Sequence, residues 1–450
     1  MVGAASHTRR GPSPNRRKVC SAIRILWHSN FPGAHSGYGS QTRQVGRRLA
    51  QAGHDVSFSA NDGTRGDRLW EGHRVYGSGT DRYSRDTVAE DIARSGADWT
   101  ITLFDPWVYT DASVDMVDPF RGNDRVMGWV PVDHYPIPPS MMPWVQAHPV
   151  IAMSRFGYNA LREASALLEA DGKPGLTVHY APHAIESVFR PTPVAPGFGA
   201  PFRKVIGLPD GAYLVGIVAA NTGSTVYDRK GFGDMLQAAV GFMAERPDVH
   251  LYLHTLQHGH QGINLPMLLR VLGADPARII WADQYLLKKA AIRDEDMAAI
   301  YSSFDVLLAP SRGEGFGLPV IEAQACGVPV IVSNWTAQAE LVGEPWSIEH
   351  SGAQRWPSGW MVSVQPDYDD KHASFYGKPN VVEILAALQE AHARRGDPEL
   401  REAALAKAAP YAADAVFATH WRPILAEMAA RLDKPTVNLA IRPRRKKRAA

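Results

Sequence analysis

The 450 residues carry 45% hydrophobic and 21% charged side chains, a mean hydropathy of -0.23 and a formal net charge of +2. No apolar run reaches the roughly 18 residues of a membrane span, no hydrophobic segment near the start reads as a secretory signal, and two cysteines, Cys20 and Cys326, are too few for a disulfide framework, so a reducing cytoplasm is the expected setting. The length exceeds one ordinary core and points to two domains of roughly 200 residues each.

Residues 1–20 read as a disordered tail with five basic groups (Arg9, Arg10, Arg16, Arg17, Lys18) and no acid; residues 433–450 form a second tail, whose last ten positions, 441–450, carry six (Arg442, Arg444, Arg445, Lys446, Lys447, Arg448) and no acid. Such tails are either solvated ends or contacts for nucleic acid or anionic membrane. Ile23 to Trp27 reads as a buried strand, followed by a glycine-punctuated loop (Gly33, Gly37, Gly39) and a helix with Val45 and Leu49 on one face; Gly53 ends it, and Val56 to Ala60 is the next strand. A loop in this place lets backbone approach a ligand, although it is not a G-x-G-x-x-G fingerprint. Asn61 to Asp86 is a polar loop or hairpin. Strands at Trp99 to Phe104 and Val126 to Pro131 end in Asp105 and in Asp133 and His134, which places these three groups at a ligand-facing edge; Trp107, Tyr109 and Tyr135 beside them are a sugar platform or buried aromatics. A helix with Phe156, Ala160 and Leu161 and a strand at Leu176 to Tyr180 complete the half, and residues 191–202, rich in Pro, Gly and Ala, form a linker.

The second half opens with a strand at Tyr213 to Ala220. Arg229 and Lys230 then precede Gly231 and a helix: two cations at a strand-loop-helix site, suited to a diphosphate leaving group or else plain surface charge. Val249 to His254, Ile279 to Trp281 and Asp305 to Ala309 are further strands. The acidic runs at 294–296 and 367–370 do not read as metal sites, the first being an acidic helix start and the second a polar loop. Helices follow at Val381 to Ala393, Pro398 to Ala408 and Phe417 to Leu432.

The stretch Ser311 to Val332, SRGEGFGLPVIEAQACGVPVIV, is the most informative in the chain. It reads as strand end, glycine loop, helix with Pro319 near its first position, and a second strand from Val328. A helix start at the carboxyl ends of strands favours an anion such as a diphosphate. Glu314 lies in the loop beside that place and Glu322 about one turn into the helix. The pair suits two hydroxyl-bearing groups on either side of a diphosphate, the shape of a nucleotide-sugar; the spacing alone equally allows a helix-start acid and a solvated glutamate.

This segment resembles the E-x7-E signature of the retaining glycosyltransferases of family 4 (glycosyl transferases group 1). The resemblance implies an α/β GT-B fold: two facing Rossmann-like domains with parallel sheets, residues 21–190 for the acceptor and 203–411 for the nucleotide-sugar, with a helix at 412–432 crossing back to the first. It also implies that Glu314 lies by the donor sugar, that Glu322 holds the ribose, and that Gly315, Phe316, Gly317 and Leu318 line sugar and phosphate. Gly37 would face the donor phosphate across the cleft, ahead of a GHxV-type turn (Gly53, His54, Asp55, Val56). Lys230 and, next to it, Arg229 would hold the donor phosphates; family members keep the two cations farther apart, and Asn221 stands nearer the usual arginine position. His134, with Asp133, would stand by the acceptor. His183 and Ala184 replace the usual Asn and Gly of a PxGxDxxxFxP segment, and Asp283 to Tyr285 occupy a place of backbone contacts to the base.

The implied activity is transfer of a sugar from a nucleoside diphosphate sugar to an acceptor hydroxyl with retained anomeric configuration, without metal or cofactor. The acceptor stays open among glycan, protein, lipid, small molecule and modified DNA. Two rivals remain at this stage: a nucleotide-sugar epimerase or hydrolase of the same fold, and a non-catalytic carbohydrate- or nucleic-acid-binding protein.

Overall fold

The structure, a computed structural model, describes residues 22–110, 118–222, 228–259, 262–350 and 352–432. Both basic tails and Cys20 lie outside them. Strand β1 (Arg24–Ser29) is buried along all but its first residue, as an apolar strand covered on both faces must be. It lies inside an eight-stranded sheet with β2 (Asp55–Ala60), β3 (Arg68–Trp70), β4 (His73–Tyr76), β5 (Trp99–Leu103), β6 (Val126–Val130), β7 (Val150–Ala152) and β8 (Val178–Tyr180), in the order β3-β4-β2-β1-β5-β6-β7-β8. All neighbours run parallel except the β3–β4 hairpin. That hairpin falls in the polar stretch 61–86, and β7 is a strand missing from the reading above because three residues are too few to show a pattern.

The second sheet joins β9 (Tyr213–Val218), β10 (Val249–His254), β11 (Ile279–Trp281), β12 (Val306–Leu308), β13 (Val330–Ser333), β14 (Gln354–Trp356) and β15 (Gly359–Val362) in the order β11-β10-β9-β12-β13-β15-β14, parallel except for β14. In both sheets the strand order reverses beside a central strand, β1 in one and β9 in the other. The loops leaving β1, β5, β9 and β12 therefore diverge and open a crevice at the carboxyl edge, which is where ligands settle in such sheets.

A separate hairpin, β16 (Val364–Asp369) with β17 (Ser374–Pro379), corrects the expectation of a polar loop at 367–370. Exposed charges on one face of a two-stranded ribbon look like a loop in sequence, because only half of each strand needs to be apolar. The ribbon reaches the first half: Tyr135 and Phe375 exchange backbone hydrogen bonds of 3.3 and 3.1 Å, and Ser374 Oγ donates to Pro136 O at 2.5 Å. The acidic run at 294–296 does open a helix (Asp294–Ser302), with Arg293 rather than an acid at the capping position.

The last helix spans Ala413 to Leu432 with a π-turn at Phe417–Trp421. It packs on the first sheet: Trp421 lies 5.7 Å from Trp27 and 5.0 Å from Trp129 between ring centroids, and Trp99 Nε1 donates to Met428 O at 3.1 Å. Each such aromatic pair adds about 0.5–1.5 kcal/mol beyond its buried area. Among the described residues no helix is long and apolar enough to cross a membrane.

Candidate active site

The crevice between the two sheets holds a cavity of about 880 Å³, inside the range of roughly 300–1,000 Å³ usual for small-molecule sites. Each wall is built from loops at the carboxyl ends of strands. On the first side stand Gly37 and Tyr38 after β1, Asp105 and Trp107 after β5, Asp133 and His134 after β6, and His183 after β8; on the second stand Arg229 and Lys230 after β9 and Glu314 to Val320 after β12.

The helix Gly37–Gln51 starts at the cavity because Ser36 caps it, its hydroxyl accepting from Gly39 N at 3.1 Å. Burial of Thr42, Val45 and Leu49 fixes its inner face. Across the gap the helix Leu318–Ala325 begins at Gly317, whose φ of +109° suits glycine, with Pro319 within its first two positions and no side-chain cap on its amide groups. Gly315 is glycine for a different reason. A Cβ there would meet Pro131 Cβ at 2.5 Å, so the loop carrying Glu314 lies against the end of β6.

Glu314 binds both cations: Lys230 Nζ donates to Oε1 at 2.6 Å and Arg229 Nη1 lies 3.4 Å from Oε2. Arg229 also donates to Gly313 O at 2.9 Å and lies 3.6 Å from Asp133 Oδ2, so it bridges the two walls. Burial alone would raise the Glu314 carboxyl; Lys230 and then Arg229 outweigh it and hold the group below its ordinary range. Burial and then Arg229 pull Lys230 down, opposed by Glu314. Two cations crowded in a buried loop are relieved by a second anion, which a diphosphate would supply. Gln338, unforeseen from sequence, holds this loop: its amide donates to Ala309 O at 2.7 Å while its carbonyl accepts from Ser311 N at 3.3 Å and Ser333 N at 3.4 Å. Its signal in the sequence is slight, since a buried glutamine differs from an exposed one only in context.

The first wall is acidic. Asp133 accepts from His134 Nδ1 at 2.6 Å, and the histidine together with Arg229 keeps it ionised against the cost of burial. Asp105, buried and close to Asp133, is pushed up to about 6; Tyr38 Oη donates to it at 3.3 Å. Trp107 faces the cavity, whereas Tyr109 is stacked on Trp144 inside the core and Tyr135 packs on Trp346 with its hydroxyl on Glu163. His183 is buried on the cavity wall between Trp129 and Phe316, with neither ring nitrogen hydrogen-bonded among the described residues, and burial pushes it down to about 3, so it is neutral. The sequence marked this position only as a departure from a motif.

The structure thus brings Gly37, Asp133, His134, Arg229, Lys230, Glu314, Gly315, Phe316, Gly317 and Leu318 to one cavity. Glu322 is not among its lining residues. Tyr301 Oη donates to Glu322 at 2.7 Å, and burial pushes the carboxyl up to about 7. Asn221 is used structurally, its side chain bonded to the backbone of Leu256 and Ile263. Asp283 caps the short helix Gln284–Lys288, and Tyr285 is exposed.

Residues 218–354 match the family model described as Glycosyl transferases group 1. The D-inositol 3-phosphate glycosyltransferase of Thermobispora bispora is 30% identical over 246 residues, 53% of this chain and 51% of the relative; the O-antigen chain mannosyltransferase B of Escherichia coli is 47% identical over 53 residues, 12% of this chain and 14% of the relative. The chain spans about half or less of the length of the curated relatives it matches. Among solved structures, the UDP-forming alpha,alpha-trehalose-phosphate synthase of Burkholderia vietnamiensis superposes with a TM-score of 0.64 at 13% identity, covering 92% of this chain and 99% of that one. The fold is GT-B, two Rossmann-like halves face to face.

Proposed function

We propose that this chain is a glycosyltransferase that moves a sugar from a nucleoside diphosphate sugar to an acceptor hydroxyl, retaining the anomeric configuration as family 4 enzymes do. The observation that carries the reading is the Glu314–Lys230–Arg229 cluster at the carboxyl ends of β9 and β12, beside the start of the Leu318–Ala325 helix and inside the cavity between the halves. The curated relatives' names, a mannosyltransferase and an inositol phosphate glycosyltransferase, support glycosyl transfer.

In this reading the bond from the anomeric carbon to the diphosphate oxygen breaks as the acceptor oxygen bonds to that carbon, and the acceptor's proton passes to the leaving phosphate. Charge grows on the diphosphate, and Lys230, Arg229 and the helix N-terminus stabilise it, so this step calls for no metal or cofactor. Glu314 keeps the two cations in place and lies by the donor sugar. His183 offers an unpaired nitrogen to a sugar hydroxyl, and Asp133, Asp105 and Trp107 form the wall on which the acceptor is positioned. Glu322 would reach the nucleotide ribose only by exchanging its bond with Tyr301. The buried free thiol of Cys326 and a nucleotide donor support action in the cytoplasm.

Thermal stabilisation by UDP-, GDP-, ADP- and TDP-sugars tests the reading. A shift with one nucleotide that is lost in Lys230→Ala supports it, and donor consumption that needs an acceptor separates a transferase from a hydrolase or epimerase. A well-folded sample that responds to no nucleotide overturns it.

A further inference from the structure

His134 is 5% exposed and its Nε2 has no hydrogen-bond partner among the described residues. Its other nitrogen is committed: Nδ1 stands 2.6 Å from Asp133 Oδ1, so the carboxylate takes that N–H and leaves the lone pair on Nε2. Nε2 faces the β16–β17 ribbon. Asp369 Oδ2 lies 3.9 Å from it, the His372 ring is 4.7 Å away between centroids, and His372 Nδ1 contacts the same Asp369 oxygen. One ligand atom from each of His134, Asp369 and His372 lies within 4.8 Å of the other two.

A hydrogen-bonded relay does not account for this geometry, because 3.9 Å is too long for a bond and leaves a buried nitrogen unsatisfied. An ion between the groups does. Ligand atoms about 2.0–2.2 Å from a tetrahedral centre stand roughly 3.3–3.6 Å apart; the His134–Asp369 pair at 3.9 Å is a few tenths of an ångström wider, and the hydrogen-bonded His372–Asp369 pair is closer, so His372 turns away from Asp369 as the ion enters. We propose that His134, Asp369 and His372 form a site for a divalent transition metal ion, of the two-imidazole, one-carboxylate kind that zinc and its neighbours favour. Asp133 orients His134 from behind, the usual outer partner of a ligating histidine. Binding replaces the hydrogen bond between His372 Nδ1 and Asp369 with a bond from each group to the ion. His134 and His372 both line the cavity, and a water or hydroxyl oxygen from the cavity completes the coordination. The ion ties the ribbon of the second half to the end of β6 in the first, across the mouth of the crevice. The site is distinct from the Lys230–Arg229 cluster and stands whether or not the chain transfers sugar.

The test uses full-length, tag-free protein stripped with a chelator and titrated with Co²⁺, then with Zn²⁺. One Co²⁺ per chain is expected, with the ligand-field absorption of a low-coordinate imidazole site, quantitative displacement by Zn²⁺, and a metal-dependent rise in Tm. His372→Ala and Asp369→Ala, checked for native circular dichroism, abolish the absorption. Asp133→Asn keeps the absorption and weakens binding by about 10- to 100-fold. Absence of stoichiometric binding, or equal binding by wild type and His372→Ala, overturns the proposal. Nucleotide-sugar stabilisation is measured separately on the same samples, so failure of the metal site and failure of the transferase reading are told apart.

Discussion

The two walls of the crevice are built on the same plan and carry opposite charge. On the second half, Arg229 and Lys230 converge on one carboxylate, Glu314, and the loop that holds it is pinned by Gln338. On the first half, burial and then the neighbouring carboxylate of Asp133 push Asp105 up to about 6. A parallel sheet supplies a binding edge whatever its sequence, and the loops decide what binds there. One wall suits an anion, the other hydroxyl groups or a cation.

The largest test of that contrast is Lys230→Ala. It leaves Glu314 buried against one cation and removes charge from the diphosphate place, so kcat/KM is expected to fall by about 10²- to 10³-fold, with loss of donor-induced stabilisation. Near-normal turnover would break the assignment of the anion to the second wall.

Next comes the contact between the walls. Glu340 accepts the Arg155 and Phe156 amides, each at 2.9 Å, so a residue of the second half caps a helix of the first. Glu340→Ala is expected to cost about 1–3 kcal/mol in chemical denaturation and to loosen closure, seen as a larger radius in solution scattering. A variant with unchanged stability would show the cap to be idle.

The third test is one of pH. Burial pushes Glu322 and Glu340 up to about 7 from an ordinary 4.5. The folded state therefore binds more protons than the unfolded state between about pH 4.5 and 7, and stability from these groups falls as pH rises through that window. Glu322→Gln is expected to raise Tm at pH 8, where it removes a buried charge worth about 1–3 kcal/mol, and to leave Tm nearly unchanged at pH 5. An equal change at both values would show Glu322 to be ionised throughout.

The smallest effect is expected at Gly37. A Cβ there would meet Leu318 Cδ1 at 3.5 Å, an ordinary contact across the gap. Gly37→Ala should keep the fold within about 0.5 kcal/mol and raise the donor KM modestly. Loss of the fold would show that the halves press on one another more tightly than this spacing implies.

The sequence by itself determined the longer apolar strands, the longer helices and the second wall. Apolar runs such as Val249 to His254 must be buried on both faces in a parallel sheet, and the Arg229–Lys230 and Ser311–Val332 segments are local, each carrying loop, helix start and charge within a few residues. Tertiary structure alone decided the rest. That Asp133 faces Arg229, that Glu322 turns to Tyr301, that His183 is left unpaired beside Phe316, and that a ribbon from residues 364–379 brings Asp369 and His372 to His134 are facts about pairs far apart in sequence or about side-chain direction. No local pattern encodes them, because they arise only when two separately patterned sheets close on one another and the side chains caught between them must find partners.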